Sequence, residues 1–131
     1  MNNKNSEINV RKINEDDWRL LKTTRLNALK DSPLSFSVSY LEASHYSELE
    51  WRERASGLRN IYFIAFSGKH PIGILGGKPS STWGYTLIGM WVAPTFRGHG
   101  ASNMLINHFK KFIFNRGCKE IFLSVSPDNK K

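Results

Sequence analysis

The feature that most constrains the fold is a strand, a glycine turn and a helix that follow one another late in the chain. Residues 85–92 are mostly apolar and predict a strand, which ends before Pro94. After Gly98 and Gly100, apolar side chains recur at helical spacing and predict a helix packed on a core; they are Ala101, Met104, Leu105, His108, Phe109, Phe112 and Ile113. Within this stripe we expect His108 to be buried or at its border and bonded to backbone.

The other segments supply further strands and helices. Apolar or alternating runs predict strands at residues 8–11, 60–66, 71–76 and 120–125. One helix is predicted to begin after Asn14 and to stop before Pro33, and a second to begin at the capping box of Ser47 and Glu50. Residues 32–46 are predicted to be irregular. The fold class is therefore α/β (α+β), a mixed sheet with the order β-α-α-β-β-β-α-β, in a single domain over residues 1–131.

Composition limits the classes of function. No apolar run approaches the roughly 18 residues that a membrane span requires, and the polar N-terminus lacks the apolar stretch of a signal peptide, so we expect a soluble cytoplasmic protein. The net charge of +8 favours an anionic partner, either a polyphosphate cofactor or nucleic acid. The single cysteine, Cys118, excludes an intrachain disulfide and a cysteine-based metal site, and we expect it to be a free structural thiol.

The glycine turn has the chemistry of an anion site. The start of a helix exposes backbone N–H groups without internal partners and carries about half a positive charge. Gly98 and Gly100 allow close approach of the main chain, and Arg97 adds a cation, so the turn predicts a pyrophosphate cradle. No Lys-Ser or Lys-Thr follows the glycines, which excludes a P-loop. The dinucleotide-binding fingerprint is not matched either, because Asn103 stands where it requires a small residue.

This part of the chain resembles motif A of the GNAT superfamily of N-acetyltransferases. In that motif Arg/Gln-x-x-Gly-x-Gly/Ala follows an apolar strand and precedes an amphipathic helix. The matching residues are Met90-Trp91-Val92-Ala93-Pro94 and Arg97-Gly98-His99-Gly100-Ala101-Ser102. The predicted order of elements is also that of the family. The resemblance implies transfer of an acetyl group from acetyl-CoA to a primary amine of a small molecule or protein, by direct attack in a ternary complex.

The resemblance also implies how acetyl-CoA is bound. The main chain around Met90, Trp91 and Val92 would hold the pantetheine arm like an added strand, and a nearby amide would polarise the thioester carbonyl. The pyrophosphate would be held by Arg97, by the Ser102 hydroxyl and by the N–H groups of Gly98, His99, Gly100, Ala101 and Ser102. Asn129 matches an asparagine that reaches the cofactor in the family.

The sequence assigns no catalytic acid or base and no acceptor. The strand before the turn carries no carboxylate or histidine, so Tyr62 and Tyr85 are only candidates for a proton relay. Glu50 and Glu53 are candidates to face the acceptor, although a solvated helix face explains them more simply. An aromatic and acidic mouth is predicted from Phe36, Tyr40, Trp51 and Glu50. It suits a small amine or amino acid, while a protein N-terminus or lysine also fits.

Where the chain ends at Lys131, the family continues through a helix with a tyrosine general acid and two more strands. We therefore expect a C-terminally incomplete form of the fold and a homo-oligomer that covers the exposed last strand. A catalytically inactive CoA-binding module is an alternative. A basic nucleic-acid-binding domain is another, although the interleaved basic and aromatic residues of such domains are not visible in the sequence.

Overall fold

The computed structural model describes residues 8–33, 39–80, 84–117 and 120–123. In these residues a five-stranded sheet has the strand order β1-β2-β3-β4-β5. The strands are β1 Ile8–Lys12, β2 Ile61–Ser67, β3 His70–Ser80, β4 Gly84–Val92 and β5 Glu120–Leu123. The pairs from β1 to β4 are antiparallel, whereas β5 lies parallel to β4. The prediction of a mixed sheet with a late crossover is confirmed.

The helices of the described residues are α1 Trp18–Asp31, α2 Tyr40–Ser44, α3 Glu48–Ala55 and α4 Ala101–Asn115. Both predicted N-caps are present. Asn14 caps a 3-10 turn, Glu15–Asp17, that leads into α1, and Ser47 and Glu50 form the predicted capping box of α3. The short helix α2, which Ser39 caps, corrects the prediction that residues 32–46 are irregular. None of the helices in these ranges is long and apolar enough to cross a membrane.

The sheet separates two clusters of buried side chains, because successive residues of a strand point to opposite faces. On one face, Leu105, Phe109 and Ile113 of α4 pack against β1 to β4. On the other face, α1, α2 and α3 cover a cluster that includes Trp51 and Trp91. The apolar stripe of α4 is therefore core packing, as predicted. Helices thus lie on both sides of β4, the strand that leads into the glycine turn.

Two side chains differ from the expectation. Trp51 is only 1% exposed and packs edge-on against Tyr46, so the prediction that it lines an acceptor mouth is wrong. His108 lies 2.9 Å from the Met104 carbonyl oxygen, which confirms the backbone contact, but the side chain is exposed and not buried. It falls on the solvent side of the stripe. The predictions for Phe36, Cys118 and Asn129 lie outside the described residues.

Candidate functional site

The described pairing of β4 with β5 involves only the first residues of β4. It covers Gly84 to Leu87 of β4, and the remainder of β4 has β3 as its neighbour among the described strands. A bulge lies in this remainder, since two residues of β4, Gly89 and Met90, stand opposite the single residue Leu75 of β3. Gly89 has a φ of 61°, a left-handed conformation that glycine adopts without strain. The bulge changes the direction of the main-chain groups at Gly89 and Met90.

The main chain at the end of β4 directs some of its groups away from β3. The Ala93 N–H donates to the Ile72 carbonyl at 2.8 Å. Since the two sides of an antiparallel strand alternate, the N–H and C=O groups of Val92 are directed away from β3. The Val92 carbonyl accepts a hydrogen bond from Arg97 Nε at 2.8 Å. The Val92 N–H points to the same side, away from β3.

The turn after β4 places two glycines in left-handed conformations. A 3-10 turn, Pro94–Phe96, ends at Arg97, and Gly98 and Gly100 follow with φ values of 83° and 87°. A Cβ built at either glycine would meet no atom within 4 Å. Glycine is therefore favoured by the backbone conformation rather than by a lack of space. The space in front of the turn is open to a ligand.

The N–H groups of this turn have no acceptors among the described residues. Gly100 is the N-cap of α4 and provides no side-chain cap, and the Met104 N–H is the first to bond back, to the Gly100 carbonyl at 3.0 Å. Within the described ranges, none of the N–H groups of residues 98–103 donates a hydrogen bond to the protein. Together with the positive end of the helix dipole, these groups make a site for an anion.

A pocket of about 340 Å³ lies in front of these groups. Its lining residues come from the end of β4, the turn and the first turn of α4; they are Val92, Phe96, Arg97, Gly98, Gly100, Ala101, Ser102 and Asn103. No carboxylate is among them. The pocket therefore offers N–H groups, a hydroxyl, an amide and a guanidinium to its contents, which is a donor set for phosphate oxygens.

Arg97 forms an ion pair that the sequence did not indicate. Its Nη2 donates to Asp31 Oδ2 at 2.6 Å, and the Trp91 indole Nε1 donates to the same oxygen at 2.9 Å. Asp31 is the last residue of α1, sixty-six positions before Arg97 in the chain. The hydrogen bonds from Trp91 and then from Arg97 hold the pKa of the Asp31 carboxyl below its ordinary value.

The lowered pKa of Asp31 gives a pH dependence of stability. Because the folded protein binds this proton less tightly than the unfolded chain, the contribution is full well above the ordinary pKa of 3.8 and is lost as the pH falls through the lower folded value. We expect the difference in unfolding free energy between wild type and Asp31→Asn to shrink below pH 4 and to stay constant near neutrality. Denaturant titrations at several pH values measure it. A difference that grows on acidification would contradict the assignment.

The candidate catalytic groups do not form one cluster. Tyr62 is buried on the face that α1 and α3 cover, whereas the Tyr85 ring packs against Phe109 of α4, so the sheet separates them. Glu50 and Glu53 are exposed on α3. The hydrogen bond from the Ser47 N–H lowers the pKa of Glu50, whereas a general base works best with a pKa near the working pH. Glu50 is thus a capping residue in this structure.

Comparison with known proteins shows the family to which this chain belongs. The sequence matches the Acetyltransferase (GNAT) family over residues 25–131, so the chain belongs to that family. It is an acetyl-CoA-dependent acyltransferase, with acetyl-CoA as its co-substrate. The resemblance recognised in the glycine turn is confirmed.

Solved structures show the same fold. An aminoglycoside acetyltransferase from an uncultured soil metagenomic sample, in complex with sisomicin, has a TM-score of 0.77 at 13% identity, over 98% of this chain and 84% of that one. The PaiA N-acetyltransferase from Thermoplasma acidophilum, in complex with coenzyme A, has a TM-score of 0.73 at 21% identity, over 94% and 82%. AAC(6')-Iy with a bisubstrate analogue has a TM-score of 0.70 at 22% identity, over 93% and 82%.

Proposed function

We propose that this chain transfers the acetyl group of acetyl-CoA to a primary amine and binds the coenzyme pyrophosphate at residues 97–102. The observation that carries the proposal is the set of N–H groups of residues 98–103, which have no acceptor in the described protein and face an open pocket. The N–H groups at a helix start have no partner within the helix, so water or a ligand satisfies them. A pyrophosphate supplies several anionic oxygens to one such set.

The pantetheine arm is proposed to extend from this pocket along the side of β4 that faces away from β3. The Val92 N–H is directed to that side, whereas the Val92 carbonyl is already bonded to Arg97. The bulge at Gly89 and Met90 changes the direction of the main-chain groups further back along the strand. This arrangement supports an arm that pairs with Met90, Trp91 and Val92.

The proposed reaction is direct aminolysis of the thioester. The nitrogen lone pair of the neutral amine forms a C–N bond with the acetyl carbonyl carbon, and the C–S bond then breaks. The products are the acetylated amine and coenzyme A, whose thiolate takes up a proton after the amine nitrogen has lost one. A backbone N–H of β4 would stabilise the negative charge that develops on the carbonyl oxygen. We assign the proton transfers to no side chain.

For the acceptor, a small primary amine is the first choice. Two of the similar structures carry sisomicin or a coenzyme A conjugate of acetylneamine. The net charge of +8 opposes a polycationic acceptor in general, so such an acceptor would have to meet local carboxylates. Exposed carboxylates do lie close together in sequence on α2 and α3; they are Glu42, Glu50 and Glu53. Lysine and N-terminal amines of peptides remain in the same chemical class.

A thiol-release assay tests turnover. The protein is incubated with acetyl-CoA and a panel of amines, including an aminoglycoside, a polyamine, an amino acid and a lysine-containing peptide. We expect release of the free thiol of coenzyme A to depend on at least one amine and to saturate with it. Binding of coenzyme A without release above the background hydrolysis rate would favour the non-catalytic coenzyme A-binding module.

We also infer a homo-oligomer that pairs through β5, and a cytoplasmic location. The oligomer is supported by the position of β5 at the edge of the described sheet, since an edge strand presents unpaired backbone groups to another chain. Light scattering at concentrations well above micromolar measures the assembly. The mass of at least two chains is expected, and the mass of one chain would contradict the inference.

A further inference from the structure

Three side chains connect the end of α1 with the coenzyme site. One oxygen of Asp31, Oδ2, accepts both from Trp91 Nε1 and from Arg97 Nη2, while Arg97 Nε donates to the Val92 carbonyl. The Arg97 guanidinium is thus held at two of its nitrogens. One attachment is the backbone of β4 and the other is the carboxylate at the C-terminus of α1.

The restraint matters because an arginine side chain has many rotamers. About half of the Arg97 side chain is exposed (52%), so packing alone does not fix it. A free arginine loses its rotamer entropy when it binds an anion, whereas an arginine that is already held loses less. A guanidinium has more N–H donors than these two bonds use, and the others remain available to a phosphate oxygen.

Asp31 is itself held in place. The Trp91 indole is 8% exposed and packs in the cluster with α1 and α3, so its N–H is a fixed donor that sets the position of the carboxylate oxygen. Buried packing thereby determines where Asp31 lies, and Asp31 determines where Arg97 lies. The position of Arg97 at the rim of the pocket therefore depends on Trp91 in the core.

We propose that Asp31 is a positioning residue for acetyl-CoA: it holds Arg97 at the rim of the pocket in the orientation that receives the pyrophosphate. Asp31 does not line the pocket itself. Its effect on the coenzyme therefore passes through Arg97. The inference rests on the proposed coenzyme site.

A double-mutant cycle tests this dependence. Calorimetric titration with coenzyme A measures the Kd of wild type, Arg97→Ala, Asp31→Ala and the double variant. We expect Arg97→Ala and Asp31→Ala each to raise the Kd by about 10-fold, and the double variant to match Arg97→Ala alone. Glu48→Ala removes a comparable exposed ion pair, with Arg52 at 2.7 Å on α3, and is expected to leave the Kd unchanged.

Asp31→Asn provides a second variant if Asp31→Ala does not fold. Both bonds go to one oxygen, so the amide oxygen can accept them, but without the negative charge. Its Kd is expected to lie between those of wild type and Asp31→Ala, and its effect to disappear in the Arg97→Ala background.

The outcomes separate this inference from the proposed function. No binding by wild type would overturn the coenzyme site itself. Binding by wild type with an unchanged or lower Kd in Asp31→Ala would overturn the role of Asp31 alone. Effects of Asp31→Ala and Arg97→Ala that multiply in the double variant would also overturn it, because they would show that Asp31 does not act through Arg97.

Discussion

Replacement of Ser102 by glutamate is expected to weaken coenzyme A binding by about 100-fold or more without weakening the fold. Ser102 is exposed, lines the pocket and lies in the first turn of α4. Two charges about 4 Å apart interact by about 4 kcal/mol at the effective dielectric of a protein surface, so a carboxylate here repels the pyrophosphate strongly. The same carboxylate at the positive end of a helix stabilises the helix by about 0.3–1 kcal/mol.

The two effects of Ser102→Glu therefore have opposite signs. Calorimetric titration with coenzyme A measures binding, and denaturant unfolding measures stability. Asn107→Glu is the matched control, because Asn107 is also exposed on α4 but does not line the pocket. We expect the control to change the Kd by less than about threefold, since salt screens exposed charges over about 8–10 Å. Equal losses of affinity in both variants would show that net charge, and not the turn, governs binding.

Replacement of Gly77 by alanine is expected to destabilise the protein by about 3 kcal/mol. Gly77 lies on β3 beneath α4, and a Cβ built there would overlap the ring atoms Cζ and Cε1 of Phe109. Phe109 is fully buried and cannot move outward without displacing the helix. The smaller unfolded-state entropy of alanine offsets only about 0.4–1 kcal/mol of this overlap.

A smaller side chain at position 109 should relieve the overlap between the alanine Cβ at position 77 and the Phe109 ring. We expect Gly77→Ala and Phe109→Leu together to destabilise the protein by less than the sum of the two single changes. Denaturant unfolding of the four proteins measures this coupling. Strict additivity would mean that α4 does not pack against Gly77 as described.

The parts of the fold that the sequence predicted are those with local causes. Asn14 and Ser47 cap helices through bonds to residues two or three positions away, so their signal is complete within a few residues. The apolar stripe of α4 likewise depends only on helical spacing. The glycines at 98 and 100 are favoured by their own backbone angles, so a glycine turn at this place could also be predicted.

The parts that the sequence did not predict depend on distant contacts. Asp31 precedes a serine and a proline, which explains it as a helix end, and nothing local indicates its bonds to Trp91 and Arg97. Trp51 lies on a short, highly charged helix, and only the packing of α3 on the sheet shows that it is buried. Such pairings are set by the assembled layers and leave no spacing pattern in the chain.

Amide chemical shifts test the coenzyme site most directly. In ¹⁵N-labelled wild-type protein titrated with coenzyme A, we expect the N–H resonances of residues 98–103 and of Val92 to shift in a saturable manner, because new acceptors meet donors that have none in the described protein. Gly68, in the turn between β2 and β3, serves as the internal reference and should not move. Saturable binding that shifts resonances elsewhere and leaves residues 98–103 unchanged would contradict the proposed site.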